Sequence, residues 1–228
     1  MRPSPLTLAA MLGALVLAAR ADDVKLSDAT LGEKPPAGAV VLFGGENLDG
    51  WLKTDGKTSA DWPVEDGLMT VGKGSIMTEK KFGDFQLHLE FNVPYMPKAK
   101  GQARGNSGVY LDGTYELQVL DSYGLPPKSN ECGAIYTQAT PSVNACKPPL
   151  RWQTYDVTFH KARVEDGKAV KKAHVVVVQN GVKIIDADVG VTPGGTGTKE
   201  GEDGPIMLQD HGNPVQYRNI WVKSLSSE

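Results

Sequence analysis

Apolar and polar residues alternate with period two through long stretches of this chain, and sustained helical spacing is absent. Between Gly83 and Val93, Phe85, Leu87, Leu89 and Phe91 fall on one side of an extended backbone and Gln86, His88 and Glu90 on the other. That pattern predicts a strand with one face in a core. Trp152–His160 repeats it, with Tyr155, Val157 and Phe159 opposing Asp156, Thr158 and His160. Two-residue turn signals join neighbouring runs: Asp66-Gly67 within Trp62–Val71, and Asn180-Gly181 between Ala173–Gln179 and Val182–Asp186. Such pairs supply the positive φ angles of a type I′ hairpin. Further short strands are predicted at Ala39–Phe43, after Leu48-Asp49-Gly50, and at Pro205–Gln209 and Gln216–Ser224. About a dozen strands joined by hairpins, with no helix and no internal repeat, predict a single all-β sandwich.

The hairpin within Asn106–Gly124 organises the rest. Asp112-Gly113 separates a strand near Ser107–Leu111 from its partner near Thr114–Leu120. Tyr115, Leu117 and Val119 then face the core, and Glu116 and Gln118 face away. Strict alternation would bury Asp121, so a β-bulge near Leu120 is expected to return it to the face of Glu116 and Gln118. The competing reading is a solvated strand face ending in a turn Asp. Ser122–Arg151 is a long connection rich in Pro and Asn, and connections of that length usually carry function.

The N-terminus reads as a targeting segment. Arg2, an apolar run from Leu6 to Ala19 and the small-x-small triplet Ala19-Arg20-Ala21 form a signal-peptide pattern over residues 1–21. The run is short for a membrane span. The expectation is export, periplasmic or extracellular, with no membrane insertion of the mature chain. Residues 22–38 form a polar extended arm and 39–228 one domain. Loss of Arg2 and Arg20 leaves 22 basic against 27 acidic residues. With no basic cluster beyond Lys171-Lys172, nucleic acid is a poor partner. Two cysteines in an exported chain raise a Cys132–Cys146 disulfide, worth ~3 kcal/mol, against two free buried thiols.

Phosphate-binding loops, nucleophile elbows and paired-His zinc spacings are missing from the sequence. What remains is carboxylate, amide, His and aromatic chemistry on one sheet face, which suits a sugar. Polar groups bond its hydroxyls and an aromatic ring covers its C–H face. The candidates are Glu116, Gln118, Asp121, Tyr110, Tyr123, Trp152, Gln209, Asp210 and His211, with Glu90 and His88 on a strand that could line the same face. Oxygen donors of this kind also suit a divalent cation, although no loop has regular ligand spacing.

The stretches LFGGENLDGW, NSGVYL, YELQVLDSYG, CGAIY, NACKPPLRWQTYDV and GPIMLQDHGNPVQYRNIWV together resemble the 3-keto-disaccharide hydrolase domain, from about Val40 to Leu225. The resemblance implies a concanavalin A-like jelly roll of two curved antiparallel sheets, an exported bacterial protein and cleavage of 3-keto-glycosides. Laminarinase-type glucanases of that wider fold carry Glu-x-Asp-x-x-Glu on a bulged strand. Glu116, Gln118 and Asp121 stand in the corresponding order, with Gln and Asp as departures. A 3-ketone acidifies the C2 proton, so C1 can lose its leaving group by elimination and water can add back. For that chemistry the expected roles are Glu116 as base, His211 or Asp121 as acid, and Gln118 or a bound cation at the enolate oxygen. The alternative is a carbohydrate-binding module without catalysis.

Overall fold

A computed structural model describes residues 24–226; the signal-peptide reading lies outside the described residues. Among the described residues, fifteen strands form two main antiparallel sheets and a small ribbon. The larger sheet contains β1 (Val40–Phe43), β3 (Val64–Glu65), β4 (Leu68–Thr70), β6 (Phe85–Asn92), β9 (Gln153–His160), β12 (Ala173–Gln179), β13 (Val182–Val189) and β15 (Gln216–Ser224). Its order is β13-β12-β9-β6-β15-β4-β3, with β1 also paired to β15. The smaller sheet has the order β2-β5-β14-β7-β8, from β2 (Trp51–Lys53), β5 (Ile76–Phe82), β14 (Gly204–Leu208), β7 (Ser107–Leu111) and β8 (Tyr115–Val119). The chain crosses between the sheets again and again, giving the predicted all-β jelly-roll sandwich.

Alternation puts both inner faces into one apolar core. Leu87, Leu89 and Phe91 from β6 meet Val109, Leu111, Tyr115 and Leu117 from β7 and β8, all essentially without exposure. Tyr115 and Phe159 touch across the layers at 5.4 Å between centroids, and Phe91 packs on Tyr155 at 4.6 Å. Truncating one such ring to Ala typically costs ~3–5 kcal/mol. The signalled turns form as expected, with φ of 51° at Asp66, 55° at Asp112 and 50° at Asn180.

Three features depart from the sequence reading. Strand β5 and the ribbon of β10 (Arg163–Glu165) and β11 (Lys168–Lys171) were not predicted. The Thr78–Lys81 stretch of β5 is largely polar, and the ribbon is exposed on both faces, so neither alternates. Cys132 and Cys146 are buried and free rather than bridged, and the Gln179 Nε2 donor lies 3.6 and 3.5 Å from their sulfurs. The arm is docked. Ser27 N donates to Asn180 O at 2.8 Å, and Gly32 N donates to Glu90 Oε1 at 2.5 Å.

Part of the 122–151 connection adds to the edge of the smaller sheet. Gln118 N donates to Ala134 O at 2.9 Å and Tyr136 N to Glu116 O at 2.9 Å. That pairing brings Tyr136 alongside the outward face of β8.

Candidate functional site

Four stretches of chain converge on the outward face of the β7–β8 hairpin. The ladder runs in register from Ser107↔Val119 to Leu111↔Tyr115, which fixes Glu116 opposite Tyr110 and Gln118 opposite Gly108. Gln209 continues from β14 beside β7: its N donates to Gly108 O at 2.9 Å, and Ser107 Oγ donates to its carbonyl at 2.6 Å. Asp210 shapes the next turn by accepting from Gly74 N and Gly212 N, both at 2.8 Å. That turn presents His211. From the other side, Thr192 Oγ1 accepts from Glu116 N and donates to Thr114 O, both at 2.9 Å. This anchors Pro193-Gly194 against Tyr110. A side chain at Gly194 would stand 2.6 Å from the Tyr110 hydroxyl at φ +81°, so glycine is required there.

The result is a cleft of about 260 Å³ lined by Gln102, Asn106, Tyr110, Glu116, Gln118, Tyr136, Pro193, Gly194, Gln209 and His211. Its volume lies below the ~300–1,000 Å³ usual for drug-sized ligands. A larger cavity of about 660 Å³ borders the arm, but Pro148, Pro149, Leu150 and scattered charges line it without a convergent acid or base.

Glu116 is the one carboxylate among the described residues lining the cleft. It is 5% exposed. Burial pushes its carboxyl up to about 7, while the Tyr110 hydroxyl donating at 3.0 Å opposes that rise. Burial and the neighbouring Glu116 charge push the Tyr110 phenol upward, so it stays a donor. Turned so that its nitrogen faces Glu116, the Gln118 amide donates to Glu116 Oε1 at 3.0 Å and to Ser107 O at 3.2 Å; turned the other way, it donates to Gln102 Oε1 at 2.9 Å. A carboxyl poised near neutrality, with donors holding its ionised form, is equipped to take a proton at physiological pH.

Of the residues singled out from sequence, Tyr110, Glu116, Gln118, Gln209 and His211 come together here. Asp121 does not line the cleft. The β7–β8 ladder has no bulge, Leu120 joins Val119 in the core, and Asp121 lies beyond the strand end. Its Oδ2 meets Arg104 Nε at 3.2 Å, and its carbonyl accepts from the same guanidinium at 2.9 and 2.6 Å. Tyr123 is exposed on the connection that follows. Trp152 lies under Arg218, whose guanidinium is 4.0 Å from the ring centre. Sequence reasoning missed Gln102, Asn106, Tyr136, Pro193 and Gly194. Tyr136 sat within a quoted motif, but only edge pairing to β8 shows where it goes.

Glu90 and His88 point outward from the larger sheet, on the opposite face of the sandwich. Glu90 accepts from Arg218 Nε at 2.7 Å, Asn219 Nδ2 at 2.9 Å and the arm at Gly32. His88 bonds Asp156 through Nδ1 at 2.6 Å, faces Asn219 through Nε2 at 3.3 Å and stacks on Trp221. Burial opposes its charge, but Asp156 and Glu90 outweigh burial and raise it to about 9. Glu33, His88 and Asp156 place ligand-type atoms within 4.8 Å of one another. Both His88 nitrogens are engaged within this network, which fastens the arm to the sheet.

The class that fold and site define is a β-sandwich carrying a small polar cleft built around one buried, neutral-poised acid. Residues 38–223 match the 3-keto-alpha-glucoside-1,2-lyase-like domain, and the chain belongs to that family. A 3-keto-disaccharide hydrolase of Bacteroides thetaiotaomicron is 24% identical over 82% of this chain and 79% of its own length. A solved structure from Parabacteroides distasonis, provisionally assigned as a glycosyl hydrolase, is 40% identical with a TM-score of 0.73 over 83% of this chain and 85% of that one. A second such structure from the same organism is 22% identical, with a TM-score of 0.62 over 83% and 94%, and shares the fold.

Proposed function

We propose that this protein is an exported enzyme that cleaves 3-keto-glycosides by elimination across C1 and C2, followed by hydration. The observation that carries the reading is the solitary Glu116, buried and poised near neutrality among amides and hydroxyls. Direct glycoside hydrolysis ordinarily uses two carboxyl groups flanking the bond. Here the second carboxylate expected from the sequence, Asp121, is engaged with Arg104 and does not line the cleft.

A 3-ketone makes a single base sufficient to start. Glu116 removes the C2 proton, and the electron pair forms the C2–C3 enolate. The pair then returns to form the C1–C2 double bond as the C1–oxygen bond breaks and the ketone is restored. His211 protonates the departing oxygen. As Glu116 takes the proton, negative charge passes from its carboxylate to the enolate oxygen, where the Gln118 amide and the Tyr136 hydroxyl stabilise it. Water then adds its hydroxyl to C1 and a proton to C2, giving the free 3-keto sugar.

The test is aglycone release from a glucoside and its 3-keto counterpart, with wild-type protein and Glu116→Gln. The expected result is turnover of the 3-keto form alone, reduced by ~10²–10⁴-fold in the variant. Undiminished turnover by Glu116→Gln removes Glu116 from the mechanism. Binding of intact glycoside with no product from either form leaves a non-catalytic sugar-binding module.

A further inference from the structure

One acceptor in the cleft has no donor. Gln209 Oε1 is buried and unpartnered, although the rest of the residue is held firmly. Its backbone is tied to Gly108 and Ser107, and its Nε2 reaches the Tyr110 hydroxyl at 3.4 Å. Gln209 Oε1 and Glu116 Oε1 approach the same point above Gly108. A Cβ there would stand 2.7 Å from Glu116 Oε1 and 3.3 Å from Gln209 Oε1. Glycine at 108 is what lets the two oxygens approach each other here, and a pair of converging acceptors is what a hydrogen-bond donor satisfies.

We propose that this pair of oxygens receives the 2-hydroxyl of the sugar, with Gln209 Oε1 as the acceptor that selects for it. The proposal rests on the elimination reading. The proton that Glu116 removes and the 2-hydroxyl are substituents of the same carbon. A Glu116 oxygen facing that proton must therefore lie beside the hydroxyl oxygen. Once water is displaced, the hydroxyl needs an acceptor, and Gln209 supplies one that no described residue uses. The Tyr110 oxygen is already taken up by Glu116, Pro193 and Gln209. A substrate without the 2-hydroxyl leaves Gln209 Oε1 unpaired, and sites built to bond a hydroxyl reject analogues that lack it.

The experiment compares kcat/KM for a 3-keto-glucoside and its 2-deoxy counterpart in wild type, Gln209→Met and Gln209→Glu. The hydroxyl also alters the acidity at C2, so the decisive quantity is the change in the substrate ratio between proteins. Wild type is expected to prefer the hydroxylated substrate by about 10²-fold. Gln209→Met should reduce that ratio by about tenfold or more, mainly through loss on the hydroxylated substrate, whereas Gln209→Glu keeps an acceptor and most of the ratio. An unchanged ratio in Gln209→Met overturns the proposal, as does an equal collapse in both variants. Those outcomes leave the elimination reading standing, because that reading is tested separately, by wild-type turnover of the 3-keto substrate and its loss in Glu116→Gln.

Discussion

Replacing Glu116 by Gln should inactivate the protein and make it more stable, with a gain that depends on pH. The carboxyl is held at about 7 in the folded protein against an ordinary value of 4.5. Below pH 4.5 both folded and unfolded chains keep this proton. As pH rises from there, the unfolded chain releases it first, so folding is progressively disfavoured until the folded form also ionises near pH 7. The gap of about 2.5 pH units, at ~1.4 kcal/mol each, amounts to ~3 kcal/mol at pH 8. A neutral amide escapes this cost. Glu116→Gln is therefore expected to match wild type near pH 4 and to exceed it by ~3 kcal/mol at pH 8, or roughly 6–12 °C in Tm. Asp112, whose carboxyl burial raises to about 8, is common to both proteins and cancels in the difference. Urea denaturation of the pair from pH 4 to pH 8.5 measures the effect. A difference that stays flat across that range would refute the assignment of a neutral-poised acid at this position.

Under the proposed mechanism the same carboxyl sets the rate. kcat/KM for a 3-keto-glycoside should climb tenfold per pH unit and level off near pH 7; Tyr110→Phe, which removes a donor to the ionised form, should move the inflection upward by ~1 unit. His88 carries stability of the opposite sign, because its folded value of about 9 lies above the ordinary 6.5. Its contribution is complete below pH 6.5 and disappears as pH rises through 9. His88→Gln should therefore destabilise by ~3 kcal/mol at pH 6, with the deficit closing by pH 10 in the same urea assay. Cys132 and Cys146 should be silent toward a thiol reagent in the native protein and titrate as two thiols after denaturation; recovery of none under non-reducing conditions would mean a bridge.

Most of the sandwich was legible because half-buried strands write their burial into the alternation of residues. The runs at Phe85–Phe91 and Tyr155–Phe159 reached the core as expected. Where a strand is wet on both faces, as in Arg163–Lys171, alternation carries no message. The cleft was only half legible. Tyr110, Glu116 and Gln118 could be placed from the hairpin and its turn, since period two fixes which side chains share a face. Glu90 shows the limit of that rule, because alternation says that a side chain leaves the core but not through which sheet. Asp121 shows another limit: beyond Val119 the ladder ends, and an Arg104 seventeen residues upstream captures the carboxylate. Gln102, Pro193 and Gly194 enter the cleft through loop packing, which no local periodicity encodes.

The docked arm bears on where this molecule can safely be shortened. The stretch that matches the family begins at residue 38, yet Gly32 and Glu33 supply backbone partners to Glu90 and Asn219. A polypeptide trimmed to the family boundary would lack those partners, and Glu90, fully enclosed in the intact protein, would lose part of its solvation shell. The span that matches a family and the smallest unit that folds well need not coincide, and here they differ by the few residues that close the back of the sheet.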